Sequence, residues 1–171
     1  MILGKTKESY FTILLLALIV SCSSPSTAEE DSLFNDNDLV AELESVQLSI
    51  EEQDLFDIVN DHRVSNGLNP VTYSGETYVF AQEHNEYMIS KGKLSHDNLD
   101  ERASQIAKQT SADSVEENVA RNFQNNSETL EAWLASEDHK NTIEGDFTHA
   151  TLSITRDDQG MPYYTQIFFR K

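Results

Sequence analysis

The sequence predicts an α+β layered domain. Two observations carry this. Between residues 51 and 140, apolar side chains recur at helical spacing. After residue 149 the chain alternates as two strands about a turn. A third observation limits how the domain is held together. Cys22 is the only cysteine, so no internal disulfide can form and a packed core must supply the stability.

The elements follow in order. From Glu51, the residues Leu55, Ile58, Val59 and His62 fall on one helical face, and Asn66-Gly67 is a left-handed stop signal. Leu68 to Val71 reads as a crossing loop. A second helix spans Glu76 to Ser90, with Phe80, Ala81, His84, Tyr87 and Met88 at helical spacing, and Lys91-Gly92-Lys93 ends it. Asp100 to Lys108 is a third helix, with Ala103, Ile106 and Ala107 inward. Val115 to Ala120 reads as a short strand. Ser127 to Lys140 reads as one fourth helix with Leu130, Trp133 and Leu134 on its apolar face. His149 to Arg156 and Pro162 to Phe169 form an antiparallel hairpin about Asp157-Asp158-Gln159-Gly160.

The first residues read as an address. Lys5 and Lys7 precede an apolar run of 11 residues, Tyr10 to Val20, which is too short to span a bilayer as a helix of about 20 residues. Ile19-Val20-Ser21-Cys22 follows and looks like a bacterial lipobox. The expected organisation is therefore a lipoprotein signal peptide over 1–21 and lipidation at Cys22. An acidic tether over 22–50 follows, with a short helix within 39–50, and then a folded domain over 51–171. The expected location is the bacterial cell envelope, outside the cytoplasm, with the lipid as the membrane contact.

Charge excludes one class of partner. The chain has 30 acidic residues against 12 Lys and Arg. Residues 1–21 contain Lys5, Lys7 and Glu8, so the remainder carries 29 against 10, a net of −19. Such a field repels nucleic acid, which is not expected as a partner.

Short motifs run through the domain. They are Asn60 and Arg63 (N-x-x-R), Gly67-Leu68-Asn69-Pro70, Ala81 and Met88 (A-x6-M), and Ser95-His96 with Arg102 (S-H-x5-R). Glu117-Asn118, Trp133 with Ser136 and His139 (W-x-x-S-x-x-H), and Tyr163-Tyr164-Thr165-Gln166 complete the series. In this order they resemble the CAP superfamily of cysteine-rich secretory, antigen 5 and pathogenesis-related class 1 proteins, in its bacterial, cysteine-poor branch. The resemblance covers roughly residues 53 to 170 and implies an α-β-α sandwich. It also implies a polar cavity formed by His96, Glu117 and His139, with Ser136, Tyr164 and Gln166 around it. Glu117 is preferred to its neighbour Glu116 because it directly precedes Asn118. Tyr163 stands where eukaryotic members place a second cavity histidine.

Residue chemistry leaves several uses of that cavity open. A histidine near neutrality can ligate metal or move a proton, and a nearby carboxylate can orient it. His96, Glu117 and His139 would make a two-histidine, one-carboxylate zinc set with a position left for water. Ser136, His139 and Glu117 supply the residue types of a serine hydrolase, but no nucleophile elbow surrounds Ser136. His62, His84 and His149 match no motif and read as structural or surface residues. The expected role is binding of a small ligand, lipid or envelope component. A hydrolase of peptide or envelope polymer, with or without metal, and a non-catalytic scaffold are the alternatives.

Overall fold

The structure, a computed structural model, describes residues 46–171. The expected leader, Cys22 and the tether as far as residue 45 lie outside the described residues. Helix α1, Ile50–Ser65, opens on a reciprocal cap. The Ser49 hydroxyl accepts from the Glu52 amide at 3.3 Å, and the Glu52 carboxylate accepts from the Ser49 amide at 2.8 Å. The helix stops at Asn66, and Gly67 takes φ +76°, the left-handed conformation that the Asn-Gly pair predicted.

The N-x-x-R motif explains how the chain crosses over next. The Asn60 side chain donates to the Val71 carbonyl at 3.0 Å and accepts from the Val71 amide at 2.8 Å. Arg63 is buried, and its guanidinium donates to backbone carbonyls of Asn69, Ile143, Gly145 and Phe147. One side chain thus ties α1 to the crossing loop and to a distant loop. The Gly145 carbonyl also accepts from the Phe147 amide at 3.0 Å.

The remaining elements are β1 (Thr72–Tyr73), a 3₁₀ turn at Gly75–Thr77, α2 (Tyr78–Lys91), α3 (Leu99–Thr110) and β2 (Ser114–Arg121). Then come α4 (Asn126–Ala135), α5 (Glu137–Ile143), β3 (His149–Arg156) and β4 (Pro162–Arg170). Strand β1 falls just after the stretch read as a crossing loop. Two residues are too few for alternation to show.

The sheet order is β1-β3-β4-β2. Strand β1 runs parallel to β3, and β4 is antiparallel to both β3 and β2. Strand β4 is interior, and eight of its nine residues are buried, so both of its faces must be covered. One face meets α1, α4 and α5 through Leu55, Val59, Trp133, Ile143, Leu152, Tyr164 and Phe168. The other meets α2 and α3 through Ala81, Met88, Ile106, Val119, Ile167 and Phe169. The result is an α-β-α sandwich. Trp133 is 1 % exposed, and its indole N–H donates to the Val119 carbonyl at 3.0 Å.

One element differs from the sequence reading. The helix expected from Ser127 to Lys140 is two helices, broken at Ser136, whose backbone is extended (φ −96°, ψ 122°). Ser136 caps the second helix by position, and Glu137 and Asp138 in its first turn suit the positive helix end. The break turns α5 toward β2, where the Asn118 side chain donates to the His139 carbonyl at 3.0 Å.

Candidate functional site

The site is organised by a carboxylate inside the protein. Glu117 lies on β2 opposite Ile167, so alternation directs it under α2 and α3. Its side chain has no solvent exposure, whereas Glu116 points the other way and is exposed. A bare buried carboxylate is costly. Here Arg102 of α3 donates to Oε2 from Nη2 at 2.6 Å and from Nε at 3.0 Å. On the other oxygen, Oε1, the His96 Nδ1 sits at 3.0 Å and the His84 Nε2 at 3.5 Å.

His96 sits in the connection from α2 to α3, and that connection is held from several sides. His84 Nε2 donates to the Ser95 carbonyl at 2.8 Å. The Tyr87 ring stacks on His84 and its hydroxyl donates to Asp97 at 2.9 Å. Arg102 Nη1 donates to the Asp97 carbonyl at 3.0 Å. Asn98 takes φ +62°, a left-handed conformation that asparagine tolerates, and so reverses the chain into α3.

The tautomer of His96 follows from its partner. A carboxylate only accepts, so neutral His96 carries its proton on Nδ1 and presents a lone pair at Nε2. Its side chain is 45 % exposed. His139 lies beside it, with ring centroids 6.3 Å apart and the rings tilted by 45°. Burial lowers the pKa of His84, against the opposing pull of Glu117. Burial also lowers that of His139, and the charge of His96 adds to the effect.

The structure therefore brings together His96, Glu117 and His139. Tyr164 and Gln166 do not join them. Both are fully buried on the opposite face of β4, with Phe168, under α1, α4 and α5. Tyr163 shares the Glu117 face of the sheet but packs against Met88 and Val119 and receives a hydrogen bond from Arg121 at 3.1 Å. Among the described residues, no hydrogen bond links Ser136 to His139 or Glu117. His62 pairs with Glu144, and His149 stacks on Phe169, both away from the cluster.

Two participants were not assigned to the site from sequence. Arg102 belonged to the S-H-x5-R motif, but its ion pair is a tertiary contact. His84 shares the inward face of α2 with Ala81 and Met88, and an imidazole on that apolar stripe was its one visible signal.

The proposed zinc set does not fit this arrangement. Both Glu117 oxygens are engaged, and the Arg102 guanidinium puts a permanent positive charge against the carboxylate that a metal would need. Among the described residues, no group of three or more His, Cys, Asp or Glu side chains is placed to hold a metal ion.

A three-layer sandwich with an imidazole–carboxylate cluster beside β2 defines the class, and comparison with known proteins names it. The profile of the cysteine-rich secretory protein family, CAP, matches residues 56–168, and the chain belongs to that family. An uncharacterized membrane protein of Bacillus subtilis (strain 168), YlbC, is 27% identical over 126 residues. That match covers 70% of this chain and 34% of YlbC, so the chain spans about a third of this curated relative. An extracellular protein with an SCP domain from Bacillus anthracis is 25% identical at a TM-score of 0.60, over 74% of this chain and 45% of that one. An outer surface protein from Borrelia burgdorferi shares the fold at a TM-score of 0.65 and 15% identity, over 74% of this chain and 96% of that one. Among the described residues, no helix is long and apolar enough to cross a membrane.

Two outcomes follow from the cluster. Arg102→Met strands Glu117 and should cost about 3–5 kcal/mol in urea unfolding. Adding Glu117→Gln should return most of that loss. A cost below about 1 kcal/mol for Arg102→Met would overturn the ion pair as the anchor of the site. The second outcome concerns pH. Because the folded pKa of His84 is depressed, the unfolded chain binds its proton more readily. Stability is then full above the unfolded value of about 6.5 and is lost as pH falls through the folded value. His84→Asn should flatten part of the decline in the urea midpoint between about pH 7.5 and 5, while His139 and His149, both lowered by burial, still contribute to it. An unchanged decline would show that His84 does not contribute.

Proposed function

We propose that this CAP domain is a binding module of the bacterial envelope, anchored through lipid on Cys22. Its ligand is a small molecule, a lipid or an envelope component, held at the His96–His139 face. The observation that carries this reading is the fixed orientation of His96. Glu117 accepts its Nδ1 proton in a hydrogen bond, Arg102 neutralises Glu117, and among the described residues Nε2 has no hydrogen-bond partner, which leaves it for a donor from outside. An imidazole locked in this way recognises a ligand with little further loss of side-chain freedom. The extracellular SCP-domain relative and the membrane-protein relative support an envelope setting, and the short apolar run before Cys22 supports the anchor. A single cysteine also suits the cysteine-poor bacterial branch of the family, with Cys22 reserved for lipid.

Hydrolysis gains no support from the geometry, since Ser136 sits at the α4–α5 junction without a bond to His139.

The test is retention. The purified protein, incubated with fractionated bacterial lipids and envelope polymers, should retain a discrete species detected by mass spectrometry. His96→Ala and His139→Ala should each weaken that retention by about tenfold or more, roughly 1.4 kcal/mol. Equal retention by all three proteins would sink the binding face. Mass spectrometry of the mature N-terminus tests the anchor separately: diacylglycerol is expected on Cys22, and Cys22→Ala should release the protein from membranes. An unmodified Cys22 in protein from its native host would remove the anchor and leave the binding face untouched.

A further inference from the structure

The interior holds an amide pair that the described residues do not fully satisfy. Asn118 of β2 and Gln166 of β4 are direct cross-strand partners, and both have no solvent exposure. They lie side by side on the sheet face covered by α4 and α5. Among the described residues, both polar atoms of the Gln166 amide lack a partner, and so does Asn118 Oδ1. The other end of the Asn118 amide is used, since its Nδ2 donates to the His139 carbonyl.

Three orphaned atoms on two adjacent, fully buried side chains need an external donor and acceptor. An apolar ligand supplies neither. A water molecule supplies both and characteristically makes about three such bonds inside proteins. A surface cleft of about 450 Å3, lined by Glu116, Asp138, Asn141, Thr142, Gly145 and Phe147, opens on this side of the sheet. Glu116 points to the same face as Asn118, two residues away, and Asp138 adjoins His139.

We infer that Asn118 and Gln166 bind internal water, and that Gln166 acts through this water and Asn118 as a positioning residue for His139. The chain of contacts runs from Gln166 to water, from water to Asn118 Oδ1, and from Asn118 Nδ2 to the His139 carbonyl. It braces the first turn of α5 against the sheet. That turn carries the imidazole that stands 6.3 Å from His96. The water site stands without any ligand, whereas its importance for His139 rests on the binding face proposed above.

The experiment is water–protein NOE NMR, recorded in both the laboratory and the rotating frame, on the ¹⁵N-labelled protein without added ligand. Cross-peaks of the sign given by long-lived water are expected at the side-chain amide protons of Gln166 and Asn118. No such cross-peak at either amide overturns the water site. So does a crystal structure in which Gln166 Nε2 bonds directly to Asn118 Oδ1. Gln166→Met keeps the shape and removes the amide. It should shift the ring resonances of His139 while leaving those of His62 in place. An unmoved His139 in the folded variant overturns the positioning role. The wild-type measurement decides the water site even if the variant does not fold. Because no ligand enters either readout, failure of the retention experiment and failure of this inference are distinguishable.

Discussion

A carboxylate without solvent, Glu117, dictates the design of this domain's functional side. Its placement follows from strand alternation alone: on β2, an odd-numbered neighbour of Val119 must face α2 and α3. An ionised group there is tolerated only with a cation and several donors around it. Arg102 supplies the cation from α3, and His96 and His84 supply ring nitrogens at the second oxygen. The connection between α2 and α3 is therefore ordered by an electrostatic requirement of the sheet. His96 inherits its orientation from that requirement.

The same bond pattern separates the uses to which such a cluster can be put. A carboxylate shared with a metal must keep lone pairs for it, but Oε2 of Glu117 faces a guanidinium and Oε1 faces the His96 and His84 ring nitrogens. A nucleophile–base pair needs its hydroxyl within hydrogen-bond reach of an imidazole. The break at Ser136 turns that serine into a helix junction. What remains is a half-exposed imidazole with a defined tautomer beside a second, neutral-favouring imidazole. That arrangement suits recognition, and it sits on a scaffold stiffened elsewhere by Arg63, which joins four carbonyls across two loops.

Position within the sheet also explains which motif residues act and which support. Strand β4 is interior, so its two sets of side chains enter different layers. Thr165 meets Asn85 of α2, while Tyr164 and Gln166 meet α1, α4 and α5. A motif that is contiguous in sequence is thus divided between two cores. His96, Glu117 and His139, widely spaced in sequence, meet because β2 is an edge strand that α3 and α5 reach from either side.

Much of the architecture was legible in the residues. The Asn-Gly stop after α1, the Gly92 stop after α2, the alternation of β3 and β4 and the apolar face around Trp133 are local signals, and local backbone preference or burial enforces each. The choice of Glu117 over Glu116 was also available, because the motif register sets which of two neighbours faces inward. Three features depended on tertiary structure. The helix break at Ser136 has no proline or glycine to announce it and comes from α5 packing toward β2. The division of Tyr164 and Gln166 from the cluster depends on which layer each strand face meets, which period-two alternation leaves unassigned. The partners of Glu117 were the third. Sequence determined that a carboxylate and imidazoles are present at motif positions, since residue identity and spacing are local properties. Only the folded chain decided that Arg102 and His84 complete the set, because a buried charge selects its neighbours by distance in space.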